Sequence, residues 1–328
     1  MYNDFFTQVK YNNSKINFLL PLLFFVSMGL AQVDSNSKDS TAGPSFSSNE
    51  GRTESRKIYK RKGNFYFSWG YNQAFYSKSN IRFWGEGYDF TISDVTGTGH
   101  FHYDFATYVQ PGTFTIPQYN ERFGYFVTDK FFITLGHDHM KYTLDRQTTL
   151  LNGTINSGSN SGTYNNTEIL VGDNSESGVY QSSLVNTLPH GFVKEFEHCD
   201  GLNDFSLELG RLEQLWIAKS GKHALSVQGT VGSGMVIPDT DADVLEYEAS
   251  HSMGTDKKSF HLAGYSFSAS AGLQLDLFKH FFILGKLKTG YINLPDIKTT
   301  VEGGKASQHF SFLEPIVFVG YTHCIYKR

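Results

Sequence analysis

From Asn64 to Ile325 apolar and polar residues alternate with a period of two, in run after run. Phe65, Phe67, Trp69 and Tyr71 alternate with Ser68, Gly70 and Asn72. Tyr119, Phe123, Tyr125 and Val127 oppose Asn120, Arg122 and Gly124. The longest run sets Tyr265, Phe267, Ala269, Ala271, Leu273 and Leu275 against Ser266, Ser268, Ser270, Gly272 and Gln274. Successive side chains of a strand point to opposite faces, so each run has one greasy face and one wet face. A soluble sandwich satisfies that pattern too. Three features favour strands that cross a membrane. The runs reach about 10–15 residues, where a tilted crossing needs about 9–11 and soluble strands average about 5–6. Their wet faces carry Ser, Gly, Thr, Gln and Asn, which suit a narrow aqueous interior. Aromatic residues, drawn from 29 Phe and 19 Tyr, sit near the ends of the greasy faces, at the level of a membrane interface.

Connection lengths set the count. Val127–Phe131, Ala218–Lys222 and Leu277–Phe281 are tight, and between them lie long connections at 78–112, 146–201, 239–258 and 296–308. Short turns belong on the periplasmic side and long loops outside. The strict alternation predicts eight crossings, at 64–77, 113–127, 131–145, 203–217, 223–237, 259–277, 281–294 and 309–326. Strand-like pieces at 81–96 and 187–198 fall inside long loops; a membrane hairpin at 81–96 would raise the count to ten. The expected fold class is all-β, a closed antiparallel transmembrane β-barrel with long extracellular loops and no unpaired edge in lipid.

The N-terminus sets the compartment. Lys10 and Lys15 precede the apolar run Phe18–Leu30, and Gly29 and Ala31 are small residues before a cut at Gln32. Residues 1–31 therefore read as a signal peptide, the apolar run being shorter than the roughly 20 residues of a spanning helix. Residues 32–62, ending in Arg52, Arg56, Lys57, Lys60, Arg61 and Lys62, read as a disordered, solvated periplasmic linker. Residues 63–328 form the barrel, which places the chain in the outer membrane of a Gram-negative envelope with both termini periplasmic. A net charge of −4 gives no reason to expect nucleic-acid binding. Cys199 and Cys324 fall on opposite sides of the membrane, which argues against a disulfide, and no spacing suggests zinc.

An eight-strand interior is filled by side chains. The alternation places Arg122, Lys286 and Lys288 there with Asp138, Glu208 and Glu314, three cations against three carboxylates, expected to pair into a plug. Candidate chemistry lies at the outer rim. His137 and His139 share one face of a strand and are candidates for a metal or a lipid-modifying site. His198 and Asp200 precede the fourth crossing and are candidates for activating a nucleophile. Asp239, Asp241 and Asp243 alternate at a hairpin tip and are candidates for calcium, against a plain solvated loop. The stretch 152–179, rich in Asn, Gly and Ser, reads as an exposed loop able to meet partners.

With those motifs in view the chain resembles outer-membrane β-barrel proteins of the Bacteroidota type. The resemblance is carried by the leader, Trp69-Gly70-Tyr71-Asn72, Gly87-Tyr88-Asp89-Phe90-Thr91, Asp138-His139-Met140-Lys141-Tyr142 and Asp200-Gly201-Leu202-Asn203, and covers most of 64–326. It implies fold and location, without an activity. The expected function is a non-enzymatic barrel with a plugged interior that presents surface loops for envelope integrity or binding. The alternatives are a lipid-modifying acyl hydrolase or transferase using the rim histidines, and a narrow solute channel. No cofactor is expected. Expected partners are outer-membrane lipid and lipopolysaccharide, the barrel assembly machinery and a surface ligand of unknown kind.

Overall fold

The computed structural model describes residues 59–99, 104–156, 158–172, 188–245, 247–249, 260–278, 280–299 and 303–324. Residues 1–58, 173–187 and 250–259, and the side chains of Cys199, Asp200 and Cys324, lie outside the described set. The described chain is almost entirely antiparallel β, with 16 strands and one short helix. The strands are β1 (Asn64–Asn72), β2 (Phe75–Tyr76), β3 (Ser79–Gly85), β4 (Tyr88–Val95), β5 (Gly97–Thr98), β6 (Tyr119–Phe126), β7 (Phe131–Leu144), β8 (Gln147–Ile155) and β9 (Gly162–Val171). They continue with β10 (Val193–Ile217), β11 (Ala224–Pro238), β12 (Asp241–Val244), β13 (Tyr247–Ala249), β14 (Gly264–Leu277), β15 (Phe281–Lys298) and β16 (Lys305–Cys324). Helix α1 spans Phe105–Val109. None of the described helices is long and apolar enough to cross a membrane.

Hydrogen bonds run from β1 to β6, β7, β10, β11, β14, β15 and β16 in turn, and β16 pairs back to β1 from Asn64↔Cys324 to Asn72↔Ile316. The remaining strands stand at one end of this cycle. Hairpin β3–β4 pairs with the start of β16 through Lys305↔Trp84, and β8 extends it on the other side, with β9 beyond. The segment 81–96 is thus not inserted between neighbours of the cycle.

Two elements differ from the sequence-based reading. The second crossing, expected from 113, begins at Tyr119, because 105–116 form α1 and a run of turns. The stretch 152–179, expected as a loop, contains a folded hairpin, β8–β9. Leu151, Ile155, Ile169 and Val171 are buried there, and those four apolar anchors suffice to order a segment otherwise rich in Asn and Gly.

Along the long strands the polarity of the two faces exchanges partway. On β7, Phe131, Ile133 and Leu135 are exposed while Thr134 and Asp138 are buried. Past His137 the order reverses: Met140, Tyr142 and Leu144 are buried, and Lys141 and Thr143 take the other face. On β10, Phe205, Leu207 and Leu209 are exposed against buried Asp204, Ser206 and Glu208, whereas Leu202, Phe196 and Val193 are buried beyond. β16 does the same, with Val317, Val319 and Tyr321 exposed below and Phe310, Phe312 and Ala306 buried above. Strand β10 has 25 residues, or about 80 Å of extended chain, far more than one crossing requires. Each long strand therefore serves two regions. The lower has apolar residues outside and polar residues inside; the upper, here called the head, has an apolar core.

Glycine and aromatic residues meet across the lower cycle. A Cβ on Gly124 would lie 2.1 Å from the Tyr66 ring, one on Gly210 2.1 Å from Phe132, and one on Gly320 2.1 Å from Phe282. The absent side chain leaves room for each ring against the neighbouring backbone inside the strand cycle.

Candidate functional site

The space enclosed by the strand cycle is filled in tiers. At the end nearest the short turns, Arg61 is 2% exposed. Its guanidinium pairs with Asp276, donates to Ser226 Oγ at 3.1 Å and lies 4.7 Å from the Tyr59 ring centroid. Its backbone N–H donates to Asp129 Oδ1 at 2.7 Å. Arg61 was expected to be solvated; the buried Asp276 carboxylate draws it inside, because a charge there needs a counter-charge. Above it come the rings of Tyr66, Phe126, Phe132, Phe282 and Phe318 with Leu212 and Leu284. Tyr66 Oη and Thr134 Oγ1 are 2.5 Å apart. A small cavity opens between this tier and the next, walled on one side by Gln228, Thr230 and Gln274.

The middle tier holds the charges. Arg122 lies 2.7 Å from Asp138 Oδ1 and 3.0 Å from Glu208 Oε1. Lys286 Nζ sits 2.8 Å from Glu208 Oε2. Lys288 pairs with Asp138 and lies 3.3 Å from Asp204 Oδ2. Glu314 Oε1 accepts from Asn120 Nδ2 at 2.9 Å, while its Oε2 has no hydrogen-bond partner. The six residues Arg122, Asp138, Glu208, Lys286, Lys288 and Glu314 are each 7% exposed or less. The expected balance of three against three is corrected by a fourth carboxylate, Asp204, which is fully buried and accepts from Ser266 Oγ at 2.7 Å. Asp204 is in phase with Ser206 and Glu208, and that phase was the signal available in the sequence. Above this tier the lumen is closed by Met140, Leu202, Phe310 and Phe312 at the base of the head core.

A second cluster faces outward where the polarity exchanges. His137 and His139 lie on the same outward face of β7, opposite Glu121 and Tyr119 of β6 and Phe205 and Asn203 of β10. His137 Nδ1 is 3.2 Å from Glu121 Oε2, and its Nε2 is 3.1 Å from Asn203 Oδ1. His139 Nδ1 is 2.9 Å from the same Asn203 oxygen. Both ring nitrogens of His137 thus face side-chain oxygens. Aromatic rings flank the pair: His137 stacks on Phe205 at 4.5 Å, His139 on Tyr119 at 4.7 Å, and Tyr119 on Trp69 at 4.6 Å. Sequence reading missed Glu121 and Asn203. The signal for Glu121 was a charge in phase with Tyr119 and Phe123 on a greasy face.

The remaining candidates lie in the head. His198 is 0% exposed, packed against the rings of Tyr142 and Phe196, with its Nδ1 2.9 Å from Thr240 Oγ1. Burial away from compensating charge pushes its pKa down to about 3, so it is a neutral core residue with no path to substrate. Asp241 and Asp243 belong to β12 and lie opposite Glu197 and Glu195 of β10. Asp239 and Asp243 are buried, and Lys194 Nζ lies 3.7 Å from Asp243 Oδ2. Among the described residues no three His, Cys, Asp or Glu side chains converge to hold a metal.

No protein-family model matches the sequence, and no curated protein matches it. Among solved structures the chain is similar to the outer membrane protein OprG of Pseudomonas aeruginosa, with 12% identity, a TM-score of 0.35, and coverage of 81% of this chain and 99% of that one. It is also similar to the attachment invasion locus protein Ail of Yersinia pestis, at 12% identity and TM-score 0.25 over 80% and 99%. A third is the toluene transporter TodX of Pseudomonas putida, at 10% identity and TM-score 0.18 over 81% and 91%.

Proposed function

We propose that the chain is an outer-membrane β-barrel protein in which the cycle β1–β6–β7–β10–β11–β14–β15–β16 is an eight-strand closed transmembrane cylinder. The cylinder is an anchor with a sealed lumen, and it carries the head outward for envelope integrity or for binding a surface ligand. One observation carries this reading: the lower strands turn Phe67, Phe123, Leu135, Leu207, Val231, Leu273 and Val317 outward, each 48–62% exposed, and bury Asp138, Glu208 and Lys288 inside. Only a solvent less polar than the interior makes that inversion favourable. Both termini then lie on the periplasmic side, and the partners of the lower surface are outer-membrane lipids. The tiers of rings, ion pairs and aliphatic side chains leave no continuous wet path for a solute, which favours an anchor over a channel. Incorporation of the purified chain into planar bilayers is expected to give no reproducible conductance steps; regular steps would overturn the sealed-lumen reading.

A lipid-modifying activity is the second reading, favoured by the Glu121–His137 pair at the outer rim. Against it, both nitrogens of His137 are already engaged, and the hydroxyl bonded to His198 is buried out of reach. Lipid A profiles by mass spectrometry discriminate the two: a changed acyl pattern restored by the wild-type chain but not by His137→Ala would establish the enzyme.

A further inference from the structure

Helix α1 and the turns that follow it expose apolar side chains. Phe105 is 75% exposed, Val109 59%, Ile116 42% and Phe114 41%, and α1 buries none of its residues. A five-residue helix has no stability of its own, yet this segment is fixed in place. Tyr71 Oη donates to the carbonyls of Tyr108 and Phe114 at 2.6 and 3.0 Å. The Phe114 ring lies 5.3 Å from Trp69, and the Tyr108 ring 5.0 Å from Tyr71. Trp69 and Tyr71 are on the outward face of β1, in phase with exposed Phe67 and in register with Glu121 and Tyr119. The segment is thus clamped to the outside of the cylinder, level with the exchange of polarity on β7.

We propose that residues 105–116 are an interfacial foot that lies in the outer-leaflet lipid beside the barrel. The partner is lipid, because the exposed side chains are anchored on Trp69 and Tyr71, one and two outward rows above the exposed apolar row of Phe67, Phe123, Leu135 and Leu207. The segment also has the mixture seen in interface-lying elements, apolar residues outward and backbone polar groups held by tyrosine hydroxyls. In water the same four side chains would form an exposed apolar patch with no cover. The inference rests on the reading of the lower cycle as membrane-spanning, so its test must separate the two.

In a chain carrying Cys199→Ser and Cys324→Ser, an environment-sensitive fluorophore is attached through Val109→Cys, Leu135→Cys or Glu86→Cys, one at a time. The chains are folded into phosphatidylcholine vesicles containing lipids with a nitroxide near the headgroup or deep in the acyl chain. The label at 109 is expected to lose roughly half of its emission or more to the shallow nitroxide, as for a group at the headgroup boundary. The label at 135 should respond to lipid-borne nitroxide, and the label at 86, on the exposed β3–β4 turn, to neither. A label at 109 that behaves like 86 while 135 is quenched overturns the foot alone. Loss of quenching at both 109 and 135 overturns the membrane-spanning reading as well. Phe105→Cys is the second foot position should Val109→Cys fail to fold, and it is expected to give the same shallow quenching.

Discussion

Lys288 joins three strands at one height. Its ammonium on β15 neutralises Asp138 on β7 and Asp204 on β10, and it is 1% exposed. Removing it takes the cation from Asp204 and leaves Asp138 to Arg122 in a closed space. Lys288→Met is expected to lower unfolding free energy in vesicles by about 3–5 kcal/mol, read from urea titrations followed by fluorescence. Glu314 is the contrast. It is held by Asn120 alone, and four carboxylates share the tier with three cations. Glu314→Gln keeps shape and hydrogen-bonding capacity while removing the surplus negative charge, so the same titration should show a loss of less than about 1 kcal/mol, or a gain. The six interior charges were legible from the two-residue period alone. Asp204 escaped because it stands at the very start of its alternating run, next to Asn203, where the phase is hardest to assign. Arg61 escaped for another reason: nothing local in a basic stretch reveals which cation a distant Asp276 will draw in.

At the scale of elements, the paired glycines and rings set how tightly neighbouring strands approach. Gly124→Ala would push a methyl into the Tyr66 ring, which is wedged against Phe126, Phe132 and Phe282. The expected cost is about 1–3 kcal/mol of overpacking, visible as a lower midpoint in the same denaturant series. The head answers to pH through β10. His198 has a folded pKa near 3 against an ordinary value of 6.5, so the unfolded chain binds its proton first. Its effect on stability is nil above about 6.5. It grows as destabilisation on acidification from there toward 3, by about 1.4 kcal/mol per pH unit. His198→Phe should flatten that slope in acid melts monitored by near-ultraviolet circular dichroism; an unchanged slope would locate the acid response elsewhere. Strand positions in the lower cycle were readable because apolar outward and polar inward side chains alternate strictly there. The head strands were harder to read. β8 and β9 are short, rich in Asn and Thr, and ordered only by a few anchors that meet Phe83, Phe90 and Phe196 from distant parts of the chain.

Across the whole molecule, β7, β10, β15 and β16 pass through both the lower cycle and the head as continuous strands, β10 with a register shift between His198 and Leu202. The two regions are therefore expected to open together. Amide exchange by mass spectrometry should give the peptides covering 193–198 and 205–210 of β10 the same protection. Early exchange of the upper peptide would mean that the head opens alone. In the proposed membrane placement the exchange of polarity along those strands also acts as a waterline. A vertical slip of one inward–outward repeat, about 7 Å along a strand, would drag Glu121, His137 and Asn203 into hydrocarbon on one side or lift Leu135 and Phe205 into water on the other. Either displacement is penalised, so in that placement the molecule would float at a single draught, and whatever the head touches would be met at a constant height above the cell surface.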